Sequence, residues 1–176
     1  ATAPVAVPVK ANDPKGDVTG TGALDLTRVA LERSSDGRLR ASLTLATAWD
    51  GKALLAEKGP PTPPGSICVK AWTVSVPPDT VPDYLVCVTA DADGDLRGSV
   101  LHERANKLPE RVASADVSRS STRSVTVRFS QSAIGSPAKL LIGAEATRPG
   151  CARTSCIDTA PDAPATLAFT LKAATT

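Results

Sequence analysis

Apolar and polar residues alternate at every second position along much of this chain, and no stretch shows the three-to-four spacing of an amphipathic helix. The cleanest run is Leu39 to Trp49, where odd positions are mostly apolar while Arg40, Ser42 and Thr44 point the other way. That is a strand with one buried face. Leu24 to Leu31 precedes it, and Asp36-Gly37 between the two runs predicts a hairpin. Ser66 to Val76 and Asp83 to Thr89 read as further strands around a Pro77-Pro78-Asp79 turn, followed by Leu96 to His102. The linking segment Asp91-Ala92-Asp93-Gly94-Asp95 has the alternate acids that open an EF-hand loop. His102 stands where that loop needs glutamate and no helices flank it, so a type I′ turn at Asp93-Gly94 is predicted. Residues 107–118 support only a short irregular strand around Val112. Ser124 to Phe129 alternates well, Gln131 to Gly135 reads as one helical turn closed by glycine, and Leu140 to Ala146 and Ala165 to Lys172 complete the set.

Eight or nine strands, each with one apolar face, predict an all-β fold. The economical arrangement is a two-sheet antiparallel β-sandwich, jelly-roll-like, with one short helical turn. No linker divides the chain, so residues 1–176 read as a single domain with 1–20 as an extended N-terminal arm. The segment Glu57 to Gly65 is too rich in proline for regular structure. It reads as a crossover between sheets, with a recognition loop for a proline-binding partner as the alternative.

Composition sharpens this picture. Hydrophobic residues make up 41% of the chain but aromatics only 3%, so the core must be built from Ala, Val and Leu. The net charge of +2 comes from interspersed signs, and no apolar run is long enough for a membrane span. The chain opens Ala1-Thr2-Ala3-Pro4 and contains no methionine, which predicts a processed terminus, a removed signal peptide and a secreted or cell-surface location. Four cysteines in such a chain predict disulfides. Of the three pairings, sequence nearness and the strand pattern favour Cys68–Cys87 and Cys151–Cys156.

Candidate chemistry is sparse. Asp13, Asp17 and Asp25 near the first strand, with Asp158 and Asp162 before the last, would supply carboxylates to a structural calcium ion if those strands are neighbours. The plainer reading makes all five turn and cap residues. Trp49, Trp72 and Tyr84 are the large rings with a polar handle, and serve either as a ligand-binding platform or as core. Arg28, Arg38, Arg40 and Arg128 can share an outer face, but interspersed acids and the lack of an aromatic stripe argue against nucleic acid. There is no Gly-x-Ser-x-Gly elbow, His102 is the only histidine, and the serines at 118, 120, 121 and 124 sit in an arginine-rich turn. The expectation is that this is not an enzyme.

Asp13-Pro14-Lys15-Gly16-Asp17, Leu24-Asp25-Leu26 with Val29, the long strand ending at Trp49, and Arg123 to Phe129 followed by Ala133-Ile134-Gly135 together resemble secreted actinobacterial β-sandwiches. These are the domains related to carbohydrate-binding family 9 and the DOMON-like group. The resemblance implies a jelly-roll-like sandwich, often with structural calcium, and sugar or haem binding in some members. The expected function is a non-catalytic secreted or cell-surface module with polysaccharide as its candidate ligand. The alternative is a structural or protein-interaction domain of the extracellular surface.

Overall fold

The computed structural model describes residues 9–12, 24–55, 64–73, 81–104, 106–150, 157–160 and 166–171. They form strands β1 (Val9–Asn12), β2 (Leu26–Arg33), β3 (Leu39–Leu45), β4 (Ser66–Trp72), β5 (Tyr84–Ala90), β6 (Leu96–His102), β7 (Glu110–Ser118), β8 (Ser124–Phe129), β9 (Lys139–Thr147), β10 (Ile157–Ala160) and β11 (Leu167–Thr170). Single 3-10 turns occupy Gly51–Leu54 and Gln131–Ile134, the second closed as expected by Gly135 in the left-handed region. Among the described residues no helix is long and apolar enough to cross a membrane.

The alternation in β3 is realised directly. Leu39, Ala41, Leu43 and Leu45 are buried and the intervening residues lie on the other face. In β2 the alternation changes phase, with Leu26 buried and then Val29 and Leu31. A register shift between Leu26 and Arg28 leaves Thr27 as a bulge, and the extra residue lets both phases face inward. The residues that precede it include the proposed arm, of which Val9–Asn12 is β1, paired antiparallel to β2.

The β2–β3 and β5–β6 hairpins use one device twice. Gly37 (φ 83°) and Gly94 (φ 86°) are each the fourth of the five residues between the two strands. In the second, the Gly94 amide donates to the Asp91 carbonyl (2.9 Å) and the Asp91 amide to the Asp95 carbonyl (2.9 Å). A type I′ turn would need positive φ at Asp93 as well, and Asp93 does not have it. The expected hairpin is therefore present, but as a three-residue loop with a glycine bulge. Asp91 Oδ1 holds it by accepting from the amides of Asp93 and Asp95, both at 3.0 Å.

The two-sheet jelly-roll sandwich is not the arrangement adopted. Strand β7, which the sequence reduced to a short stretch around Val112, runs for nine residues and changes partner along its length. Glu110 to Ala115 pair with β6, whereas Asp116 to Ser118 pair with β8. That one strand joins what would have been two layers. The result is a single sheet of eleven strands in the order β1-β2-β3-β8-β7-β6-β5-β4-β9-β10, with β11 also on β9. The ends of this sheet meet: the Leu26 amide of β2 donates to Asp158 Oδ2 of β10 at 2.6 Å. The protein is thus a nearly closed antiparallel barrel. Its interior is filled by Val, Leu, Ile and Ala together with Phe129 and Phe169, the aliphatic core that the composition requires.

Cys68 and Cys87 are directly opposed on β4 and β5 and form a disulfide, with Cα atoms 4.1 Å apart. Among the described residues no cysteine is free. Cys151 and Cys156 lie outside the described residues, as do most of the proline-rich segment and Pro77 to Asp79.

Candidate functional site

Even-numbered residues of β1, β3, β8 and, past the bulge, β2 face outward, and the antiparallel register aligns them into rows that cross the strands. The middle row is Lys10, Ala30, Ser42, Thr126 and Ser118. One row away stand Asn12, Arg28, Thr44 and Ser124, and on the other side Glu32, Arg40, Arg128 and Asp116. After Lys10 the middle row contains only small side chains, while arginines rise from both flanking rows. Short residues between long ones make a trough that runs across the strands. With neighbouring strands 4.7–4.9 Å apart, its five strands span about 19 Å. The β1–β3 half is concave, with a volume of about 410 Å³.

The floor is a hydroxyl ladder. Thr44 Oγ1 and Ser124 Oγ are 2.9 Å apart, and Ser42 Oγ and Thr126 Oγ1 are 3.5 Å apart. Thr126 is buried although it is polar and on the outer face, because its neighbours close around it. In the walls, Arg40 pairs with Glu32, and Arg38 pairs with Asp116 at 2.7 Å while donating to the Arg128 carbonyl. Among the described residues, Lys10, Arg28 and Arg128 make no salt bridge. Arg28, Arg38, Arg40 and Arg128 do share the outer face anticipated from the sequence. The hydroxyl floor was not anticipated, although the even phase of β3 and β8 contained it.

No protein-family model, no curated protein and no solved structure matches this chain. Its chemistry must therefore be read from its own residues.

The aromatic candidates lie elsewhere. Trp49 is buried, its indole Nε1 donating to the Arg123 carbonyl at 2.9 Å. The Arg119 guanidinium covers the ring with its centre 4.0 Å from the ring centroid. Arg119 also donates to the carbonyls of Trp49 (2.8 Å) and Thr122 (2.7 Å). Burial lowers its pKa, and Asp50 partly offsets that. This assembly closes one end of the barrel. Trp72 is buried on the outer face of β4, with Lys70 Nζ 5.5 Å from the ring centroid. Gly143 lies beneath both side chains. Tyr84 is half-buried and stacks on His102 with centroids 4.8 Å apart, at the other barrel end. Neither tryptophan offers an open ring face, so these three residues do not form one shared platform.

The acidic candidates divide in the same way. Asp25 and Asp158 are both buried at the seam where β2 meets β10. Asp13, Asp17 and Asp162 lie outside the described residues. Asp91, Asp93 and Asp95 bring carboxylate oxygens within 4.8 Å of one another on the exposed β5–β6 turn. Asp91 is committed to that turn and to Arg97 (3.0 Å), and the backbone amide of Asp95 leads the contacts that lower its pKa. On the outer face of β9, burial raises the pKa of Glu145 and Lys70 partly opposes the rise.

His102 pairs with Glu110 at the start of β7, whereas Ser118 ends that strand and Ser120, Ser121 and Ser124 lie beyond it. The histidine and the serine-rich turn are at opposite ends of the barrel.

Proposed function

We propose that this chain is a non-catalytic, secreted or cell-surface barrel module that binds polysaccharide along the cross-strand trough. One observation supports the reading above others: a floor of Ser42, Thr126 and their neighbours between arginine walls. Hydroxyls are both donors and acceptors and suit sugar hydroxyls. A floor of small residues admits an extended chain, and strands hold it rigid. The Cys68–Cys87 bridge supports an oxidising location.

Filling the trough tests this. Ala30 points outward between Lys10 and Ser42, so Ala30→Trp adds bulk without touching the core. On a glycan array the parent protein should retain polysaccharide. Ala30→Trp should weaken that binding about tenfold or more, which corresponds to 1.4 kcal/mol, with an unchanged thermal melt. Equal retention by both proteins would remove the trough from the reading. The competing reading, an extracellular protein-binding domain, draws on the exposed Leu108 and Val81 beside the Tyr84 end. Capture of no glycan at all would favour it.

Calcium in this reading is structural. Asp25 and Asp158 would hold it at the β2–β10 seam with oxygens from Asp13, Asp17 and Asp162. The described residues supply only two of these carboxylates, and one oxygen of Asp158 already accepts from the Leu26 amide. Saturating calcium, at a hundred times its dissociation constant, should add about 2.7 kcal/mol of stability. A thermal melt of chelated protein titrated with calcium measures it, and an unmoved melt at millimolar ion would end the proposal.

A further inference from the structure

The charges around the trough carry a second message. Arg40 and Arg128 are directly opposed on β3 and β8. Like charges in that position repel across a separation of about 5 Å and destabilise the sheet. The row contains two acids, and neither forms a salt bridge with Arg128, which feels Asp36 and its cross-strand neighbour Asp116 only at longer range. Glu32 is taken by Arg40, and Asp116 by Arg38. Arg28 on the opposite wall and Lys10 at the β1 end are likewise without a salt bridge among the described residues. A sheet face that keeps an opposed arginine pair and, among the described residues, three cations without a salt bridge around a set of hydroxyls departs from what stability alone would select. Such departures mark functional surfaces.

The spacing of the cations describes the ligand. Lys10, Arg28 and Arg128 are spread from β1 to β8, three strand spacings or about 14 Å. Between them lie hydroxyls and an alanine. Duplex nucleic acid presents one charge per about 1.7 Å of axis, far denser than these cations can answer. A neutral glycan would leave the guanidiniums unanswered. A sparse polyanion with hydroxyl-rich units between its charges satisfies both features. The planar fork of arginine matches the two oxygens of a carboxylate.

We infer that the trough selects acidic polysaccharides in which carboxylate-bearing sugars alternate with neutral ones. Arg28 and Arg128 take carboxylates from opposite walls, while Ser42 and Ser118, on either side of the buried Thr126, meet the hydroxyls of the sugar between. This rests on the polysaccharide reading above and narrows its ligand class.

The test uses hyaluronan oligosaccharides, which alternate in this way, and the same oligosaccharides with their carboxylates reduced to alcohols. Titration calorimetry should show the native form binding about tenfold or more tightly than the reduced form. Raising the salt should erode the difference, because exposed charges are screened. Arg28→Gln and Arg128→Gln should each weaken the native form and leave the reduced form unchanged, with melting curves confirming the fold. Equal affinity for both forms would overturn the inference while leaving polysaccharide binding standing. Preference for oligo-deoxythymidylate over hyaluronan would overturn it in favour of a nucleic acid. Failure to bind the oligosaccharides in either form, together with an empty glycan array, would remove the polysaccharide reading itself.

Discussion

Replacing Cys68 and Cys87 together by alanine is expected to lower stability by about 3 kcal/mol. The bridge links positions 19 residues apart. In the chain-entropy relation, opening a loop of that length returns about 3 kcal/mol of conformational freedom to the unfolded chain. The two residues are direct partners on neighbouring strands, and both are buried. They share a phase with Lys70 and Trp72 and so sit on the outer face, away from the packed interior. Their loss should therefore leave the interior packing intact. For a chain of this size the thermal midpoint should drop by about 6–12 °C. Binding along the trough should persist, because the trough is built on β1, β2, β3, β8 and the end of β7, away from the β4–β5 bridge. A midpoint within about 2 °C of the parent would show that the bridge places no useful constraint on the unfolded chain.

Gly51→Ala is expected to be comparably damaging for a different reason. A β-carbon at Gly51 would lie 1.8 Å from the Gly94 carbonyl oxygen and 2.8 Å from its carbon. Both are backbone atoms, so no rotamer change relieves the contact. The 3-10 turn is held at one end by Asp50, which accepts from the Lys52 amide at 2.9 Å, and at the other by Leu54 in the core. Separating the turn from the β5–β6 hairpin would therefore drag Leu54 outward. Overpacking of this severity costs about 3 kcal/mol. Gly37→Ala is the contrasting control. Gly37 has a φ of 83°, whereas Gly51 is outside the left-handed region, and a β-carbon at Gly37 would meet only an Arg33 side-chain nitrogen at 3.8 Å. Gly37→Ala should show left-handed strain alone, about 1–2 kcal/mol. If chemical denaturation finds Gly51→Ala no costlier than Gly37→Ala, the turn yields to the added carbon without loss of packing.

Particular elements show where the sequence was legible. The strict alternation of β3 and β8 predicted their buried faces, and Gln131 to Gly135 predicted a turn closed by a left-handed glycine. Both signals are local. Strand β7 was nearly missed because its register with β6 shifts beside Val112, which is left exposed, and because its inward residues include Ala113 and Ala115, which carry little hydrophobic signal. Strand β10 was missed because four residues containing Asp158 look like a loop. That acid is buried where the Leu26 amide, 132 positions away in sequence, donates to it.

The candidate site followed the same division. Four arginines on one outward phase were readable, because parity along a strand is a local property. The trough was not, because it depends on which strands are neighbours and in what register. Placing Ser42 of β3 beside Thr126 of β8 takes a pairing that joins residues 84 positions apart.

The sequence by itself determined that this protein is built of extended strands with an aliphatic inner face, and it favoured Cys68–Cys87 among three possible pairings. These follow from side-chain periodicity and from a short separation along the chain. Only the tertiary structure decided between two layers and one nearly closed barrel, since an apolar face alternating with a polar one satisfies either. The deciding event was β7 passing from β6 to β8, a choice of hydrogen-bond partners made by residues far apart in the chain.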